Sequence, residues 1–198
     1  MTESDPNPDI TQGPAQPILQ SLKLAYINAR KAYKIDRVRL QRLRDTLKLY
    51  EGTHNFHNYT VRKSASDPSA KRYIKSFTVA ENPIIIDGQE WVSVKVHGQS
   101  FMLHQIRKMV GMAALVVRCG CDPQIITESF SNAIISVPKA PALGLLLERP
   151  VFQSYNEQTA VKFGRDDIDF GKFEDEISAF KEKEIYERIF REEESGNK

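Results

Sequence analysis

Cysteine is almost missing from this 198-residue chain, and the two present, Cys119 and Cys121, are separated by a single glycine. That usage excludes a disulfide framework and fits a reducing compartment. Long apolar runs are missing as well. Nothing approaches the roughly 20 consecutive apolar residues that span a bilayer, and the polar, proline-bearing start MTESDPNPDI offers no secretory apolar region. Charge of one sign is scarce too: Lys plus Arg total 28 against 26 for Asp plus Glu, so the bulk balance says nothing about partners. What is there suffices for a core. Apolar residues make up 40% and charged residues 27%, which excludes wholesale disorder and fits one domain with appendages. These features point to a soluble intracellular protein without membrane contact.

The near-zero total hides an asymmetry. Residues 1–20 hold four prolines and little apolar material and are expected to be a disordered lead-in. Residues 21–35 are expected to be a basic linker, and from Leu22 to Leu49 nine basic side chains face two acidic ones. The end is the reverse, with six basic and nine acidic side chains from Gly171 to Lys198. A basic front suggests an anionic partner. With Tyr26, Tyr33 and Tyr50 interleaved, this stretch is a candidate RNA-phosphate surface, on which Arg42 and Lys48 are candidate contacts. The plainer alternative is a solvated helix face.

Periodicity predicts a helix over Asp36–Tyr50, capped by Asp36 and ended by Gly52, with Leu40, Leu43, Leu47 and Tyr50 on its apolar stripe. Thr53–Val61 reads as a strand or loop edge and Lys63–Lys71 as a loop. Strands are predicted over Arg72–Glu81 and Gln89–Val96, and the Asp87-Gly88 turn pairs Ile84–Ile86 with Glu90–Val94. Phe101–Cys119 reads as a helix with Met102, Ile106, Met109, Val110, Ala113, Val116 and Val117 inward and Gly120 at its end. Asp122-Pro123 opens another, striped by Ile126, Phe130 and Ile134. Ala140–Phe152 reads as a buried central strand. After a linker over 153–173, residues 174–194 form a helix packed on the domain, with Ile177, Phe180 or Lys181, Ile185 and Ile189 inward. The order argues an α+β fold in which helices pack on an antiparallel or mixed sheet.

Four groups are candidates to carry chemistry. His54 and His57, three apart, suit a metal only with two further ligands, and Cys119-x-Cys121 lacks the usual zinc-knuckle spacing. Polar residues anchoring a bend are the plainer reading, and no metal is expected. Arg107, in an apolar helix, must find an anion or water. His104 precedes it by three and lies on the same helical face, so the pair suits a carboxylate or phosphate, with Lys108 alongside. Gly144-Leu145 suits a backbone passing beneath a ligand, although a packing glycine explains it equally well. Gly164-Arg165-Asp166-Asp167 sits in an acidic stretch and reads as a solvated linker.

Four blocks resemble the TruA-type tRNA pseudouridine synthase family in its eukaryotic multi-site form: YEGTHNFHNYT at Tyr50–Thr60, QSFMLHQIRKMVGM at Gln99–Met112, APALGLLLERPVF at Ala140–Phe152 and FKEKEIYERI at Phe180–Ile189. The resemblance covers roughly residues 36–190 in family order and matches the C-terminal half of that fold, with residues 36–152 as its catalytic subdomain. It implies an isomerase that detaches uracil from ribose and rejoins it through carbon without a cofactor. Arg107 matches the family arginine that pairs with a catalytic aspartate. Gly144 and Leu145 match the floor of the uracil pocket, and His54 and Phe56 the block supporting its rim, with His104 beside the substrate. Lys108 joins Arg42 and Lys48 as an RNA contact. The family's Arg-Thr-Asp-x-Gly segment does not occur in this sequence. The resemblance therefore implies that the aspartate comes from an N-terminal half of the parent enzyme and that this chain alone does not isomerise uridine. It implies tRNA as partner, other structured RNAs as further substrates, and the nucleus, with a mitochondrial form, as location.

Overall fold

The computed structural model describes residues 16–196, which divide into two compact units meeting at Lys139/Ala140. The boundary falls inside the subdomain expected over 36–152. In the first unit, α1 (Gln16–Ala32) is a helix where an irregular lead-in and a basic linker were expected; residues 1–15 of that expectation lie outside the described residues. Its only proline, Pro17, sits in the first turn, where the missing N–H costs nothing. Two basic residues, Arg30 and Lys31, end it favourably for the helix dipole. α2 (Arg37–Lys48) is capped as expected, the Asp36 carboxylate accepting from the Arg39 N–H at 2.7 Å. Leu40, Leu47 and Tyr50 are buried and Leu43 is half-buried.

Three strands, β1 (Gly52–Asn55), β2 (Lys71–Val79) and β5 (Val94–Gly98), form an antiparallel sheet with β2 in the centre. Ile74 and Phe77 point from β2 into the core. The hairpin β3 (Ile84–Ile86) to β4 (Gln89–Trp91) turns at Asp87-Gly88, where both φ values are positive, 49° and 77°. Ile84 faces Trp91 and Ile86 faces Gln89, so the pairing ends three residues short of the predicted Val94. Val94 belongs instead to β5, opposite Val79. The hairpin also holds the chain before α2: Lys34 Nζ donates to the Gly88 carbonyl and the Ile35 N–H to Glu90 Oε2, both at 2.6 Å.

α3 (Gln105–Cys119) begins four residues later than its apolar pattern suggested. Tertiary bonds decide this. The Gln105 carboxamide accepts from the Met102 N–H, Thr60 Oγ1 donates to the Leu103 carbonyl, and His104 takes a left-handed φ of 66°. Met109, Met112, Ala113 and Val116 face the core, and Gly120 ends the helix at φ 69°. α4 (Gln124–Glu128) is shorter than predicted. Asn58 Nδ2 donates to the carbonyls of Ser129 and Ala133, turning the chain there, so Ile126 is buried while Ile134 stands 95% exposed. At the centre Tyr50, Phe56, Tyr59, Phe77 and Phe130 pack ring against ring.

The second unit has no strand among its described residues. Ala140–Phe152 runs without regular structure, Leu147 is 82% exposed, and a turn from Ala142 to Leu145 breaks the run. The apolar pattern reported burial potential, but a strand also needs hydrogen-bonding neighbours, and the described sheets supply none. The expected linker over 153–173 is largely helical: a π-helical stretch Tyr155–Ala160 passes into α5 (Val161–Phe163), closed by Gly164 at φ 58°. α6 (Glu174–Phe180), a π-helical stretch Lys181–Tyr186 and α7 (Glu187–Gly196) make the last helix. Ile177, Lys181, Ile185 and Ile189 are half-buried, whereas Phe180 faces solvent. Lys181 reaches Glu148 at 2.8 Å and Arg149 reaches Glu174 at 3.0 Å, fastening the helix to the irregular segment of its own unit. Mixed helices and antiparallel strands make the chain α+β, as expected.

Candidate functional site

The Tyr50–Thr60 block acts as a clamp. Asn58 ties down the loop after α4, accepting from the Ile135 N–H at 3.0 Å, and the Tyr59 hydroxyl meets Ser129 Oγ at 2.7 Å in the interior. Its backbone then grips α3: Lys108 Nζ donates to the carbonyls of Asn58 at 2.9 Å and Thr60 at 3.0 Å. These bonds fix the first turn of α3 and the residues just before it.

Four cationic or potentially cationic side chains gather there. His104 has its pKa pushed below the usual histidine value, first by burial and then by Lys139, Arg107 and Lys108. Burial, followed by Lys139, likewise pushes the Lys108 ammonium down. Like charges so placed make an electropositive site that attracts an anion. Arg107 is half-buried on α3. His104 is not within the helix as the spacing suggested; it is the left-handed N-cap three residues before Arg107, and its carbonyl accepts from the Lys108 N–H at 3.0 Å.

The other expected residues go elsewhere. Phe56 is fully buried in the aromatic cluster, and His54 stacks on Phe130 at 4.3 Å while its Nε2 meets the Glu51 carbonyl at 2.8 Å, so both stand behind the clamp. His57 bonds the Ala133 carbonyl at 3.2 Å, and Cys119 and Cys121 are exposed free thiols. Among the described residues no group of three or more His, Cys, Asp or Glu side chains is placed to hold a metal. Gly144 and Leu145 belong to the second unit; a Cβ on Gly144 would meet open space, and Leu145 is about half exposed. On α2, Lys48 is exposed and Arg42 Nη2 donates to the Cys121 carbonyl. Gly164 closes α5, so the Gly164–Asp167 stretch serves as a helix end. No helix among the described residues is long and apolar enough to cross a membrane. The sequence reading missed Lys139: a lone lysine between two prolines carries no pattern, and only the fold sets it beside His104 and Lys108.

The profile of a family described as tRNA pseudouridine synthase matches residues 46–153, which contain the clamp, α3 and Lys139. The chain belongs to that family. It is 54% identical over 176 residues to tRNA pseudouridine synthase 1 of Yarrowia lipolytica, covering 88% of this chain and 33% of that protein. The corresponding protein of Candida albicans is 48% identical over 189 residues, 96% of this chain and 31% of the relative. A mouse protein named pseudouridylate synthase 1 homolog is 40% identical over 159 residues, 80% of this chain and 37% of its own length. The chain thus spans about a third of the curated relatives it matches, on a C-terminal portion of them.

Proposed function

We propose that this chain forms the C-terminal part of the catalytic centre of a tRNA pseudouridine synthase that converts uridine to pseudouridine in tRNA. The C1′–N1 bond of the target nucleotide breaks and a C1′–C5 bond forms; C5 loses its hydrogen to solvent and N1 takes up a proton, so the product is an isomer. The observation that carries the reading is the cationic group His104, Arg107, Lys108 and Lys139 at the start of α3, held by the clamp that the family blocks supply.

In this reading Arg107 pairs with a catalytic aspartate from an N-terminal half of the parent enzyme. A guanidinium forked onto a carboxylate keeps that acid ionised where water is excluded. Lys108 and Lys139 supply positive potential for the phosphates flanking the flipped uridine, which must leave its stack to be reached, and the His104 imidazole stands beside them. His54 and Phe56 brace the clamp from behind. Gly144 and Leu145 floor the uracil pocket once the rest of the enzyme is in place, and Arg42 and Lys48 contact RNA on α2. Among the described residues the edge strands β1 and β5 each keep one unpaired side, which suits pairing with further strands. The nucleus is the proposed location, and no cofactor enters the proposed chemistry.

Tritium release from uracil C5 of tRNA tests the division of labour. The chain alone is expected to release none. Mixed with the N-terminal half of the parent enzyme it is expected to turn over, and Arg107→Ala in the mixture is expected to lose activity by at least a hundredfold, in the range seen when a transition-state electrostatic partner is removed. Turnover by this chain alone would place the catalytic acid within it and overturn the assignment. The alternative reading is an RNA-binding module that uses residues 23–48, which fold as the basic helices α1 and α2. Charge reversal on α2 abolishes RNA affinity under that reading and leaves the Arg107 effect absent.

A further inference from the structure

The exposed face of α2 borders a groove of about 540 Å³ that reaches Pro123 at the start of α4. Arg37, Val38, Gln41, Arg42 and Thr46 line its α2 side. None of them belongs to the cluster around His104. Thr46 is completely buried, yet its hydroxyl has no hydrogen-bond partner. One turn earlier the Arg42 Nε–H is also buried and unpartnered, although Nη2 of the same guanidinium bonds the Cys121 carbonyl. Residues 42 and 46 are neighbours on one helix face. Buried donors are nearly always satisfied in folded proteins, so two side by side in a groove mark the place of a missing acceptor.

The character of that acceptor follows from the surrounding side chains. Arg37 and Arg42 bring two positive charges, and the one lining carboxylate, Asp45, already accepts from Gln41 Nε2 at 2.9 Å. With two guanidinium groups against one carboxylate the lining stays positive, which favours an anionic oxygen as the ligand atom. Val38, 79% exposed, and Pro123 add an apolar wall suited to the flat faces of a ribose or base. We propose that this groove binds one backbone phosphate of the RNA substrate, with its nucleoside lying against Val38 and Pro123. The inference rests on the reading above that the chain handles RNA, and adds a specific anchoring point for it. The phosphate draws the Arg42 guanidinium away from the Cys121 carbonyl, and the movement opens Thr46 Oγ1 to a second oxygen.

Filter binding of the chain to tRNA across a salt series tests the groove, with thermal unfolding as a control for folding. Arg37→Gln removes a phosphate charge and is expected to lower the slope of log affinity against log salt by about one. Thr46→Val removes a neutral donor. It is expected to weaken binding about fivefold without changing that slope, since no counterion is released at a hydroxyl. Thr46→Ser is expected to restore binding. Unfolding temperature is expected not to fall in any of them, because Thr46 makes no hydrogen bond to lose and Arg37 is exposed. If the native chain binds tRNA and both variants bind equally well with unchanged slopes, the groove proposal falls while the RNA reading stands. If the native chain does not bind tRNA, the RNA reading falls and takes the groove with it. Competition by polyglutamate as effective as by polyuridylate would overturn the groove assignment in favour of an acidic peptide. Should Thr46→Val unfold, Arg37→Gln on the exposed surface decides alone.

Discussion

His104 is a residue whose neighbours can be weighed by titration. Burial and three cations hold its pKa below 6.5, and folding therefore favours the neutral imidazole. Because the folded value is depressed, the contribution of this group to stability is present above about pH 6.5 and is lost as pH falls through the folded value. An RNA phosphate brought to the same place reverses the local field. The His104 imidazole is expected to titrate at higher pH with bound tRNA than without, read from its ring proton resonances; an unchanged value would remove the anion from this site. Tyr59 belongs to the same scale. Its hydroxyl bonds Ser129 in the interior, so Tyr59→Phe is expected to cost about 1–2 kcal/mol in denaturant unfolding. Ser129 still donates to the Ile126 carbonyl at 2.5 Å, which limits the loss.

Elements end where single residues allow them to. Gly120 follows α3 at φ 69°, and a Cβ there would meet nothing within 4 Å. Gly120→Ala thus isolates the cost of the left-handed backbone, expected at about 1–2 kcal/mol of lost stability with no change in packing. The caps at Asp36 and Gly120 and the turn at Gly88 were readable in the sequence because they depend on residues a few positions apart. The start of α3 was not. Phe101, Met102 and Leu103 carry a helical pattern, but Thr60 and Gln105 hold them in a turn. The end of α4 was hidden for the same reason, since the Asn58 amide that stops it lies about 70 residues away in sequence. The largest departure is Ala140–Phe152, whose composition announces burial yet which runs without regular structure and largely exposed.

Across the first unit, stability rests on a core in which two phenols are sealed off. Burial pushes the Tyr50 phenol well above 10, helped by Tyr59, and burial pushes Tyr59 up as well, opposed by its bonds to Ser129 and Tyr50. Raised folded values mean that stability is fully present below about pH 10 and declines as pH climbs through the folded values, where the unfolded chain ionises first. Alkaline unfolding followed by tyrosinate absorbance is expected to show these two rings ionising late and together with loss of helix. Early, non-cooperative ionisation of all seven tyrosines would mean that the cluster is open to water.

The sequence by itself determined the α+β class, the caps, the central strand β2, the hairpin turn and the family, because each depends on local chemistry or on blocks of residues read in order. It also marked Arg107 and the basic α2, since charge in an apolar helix or a run of arginines is visible without coordinates. Only the tertiary structure decided that Lys139 joins His104 and Lys108, that Phe56 is sealed in the aromatic cluster while His54 stacks on Phe130, and that Thr46 and Arg42 hold unpartnered donors above one groove. The physical reason is the same in each case. Electrostatic crowding, burial and hydrogen-bond satisfaction are properties of what surrounds an atom, and the surroundings of these atoms are assembled from residues far apart in the chain.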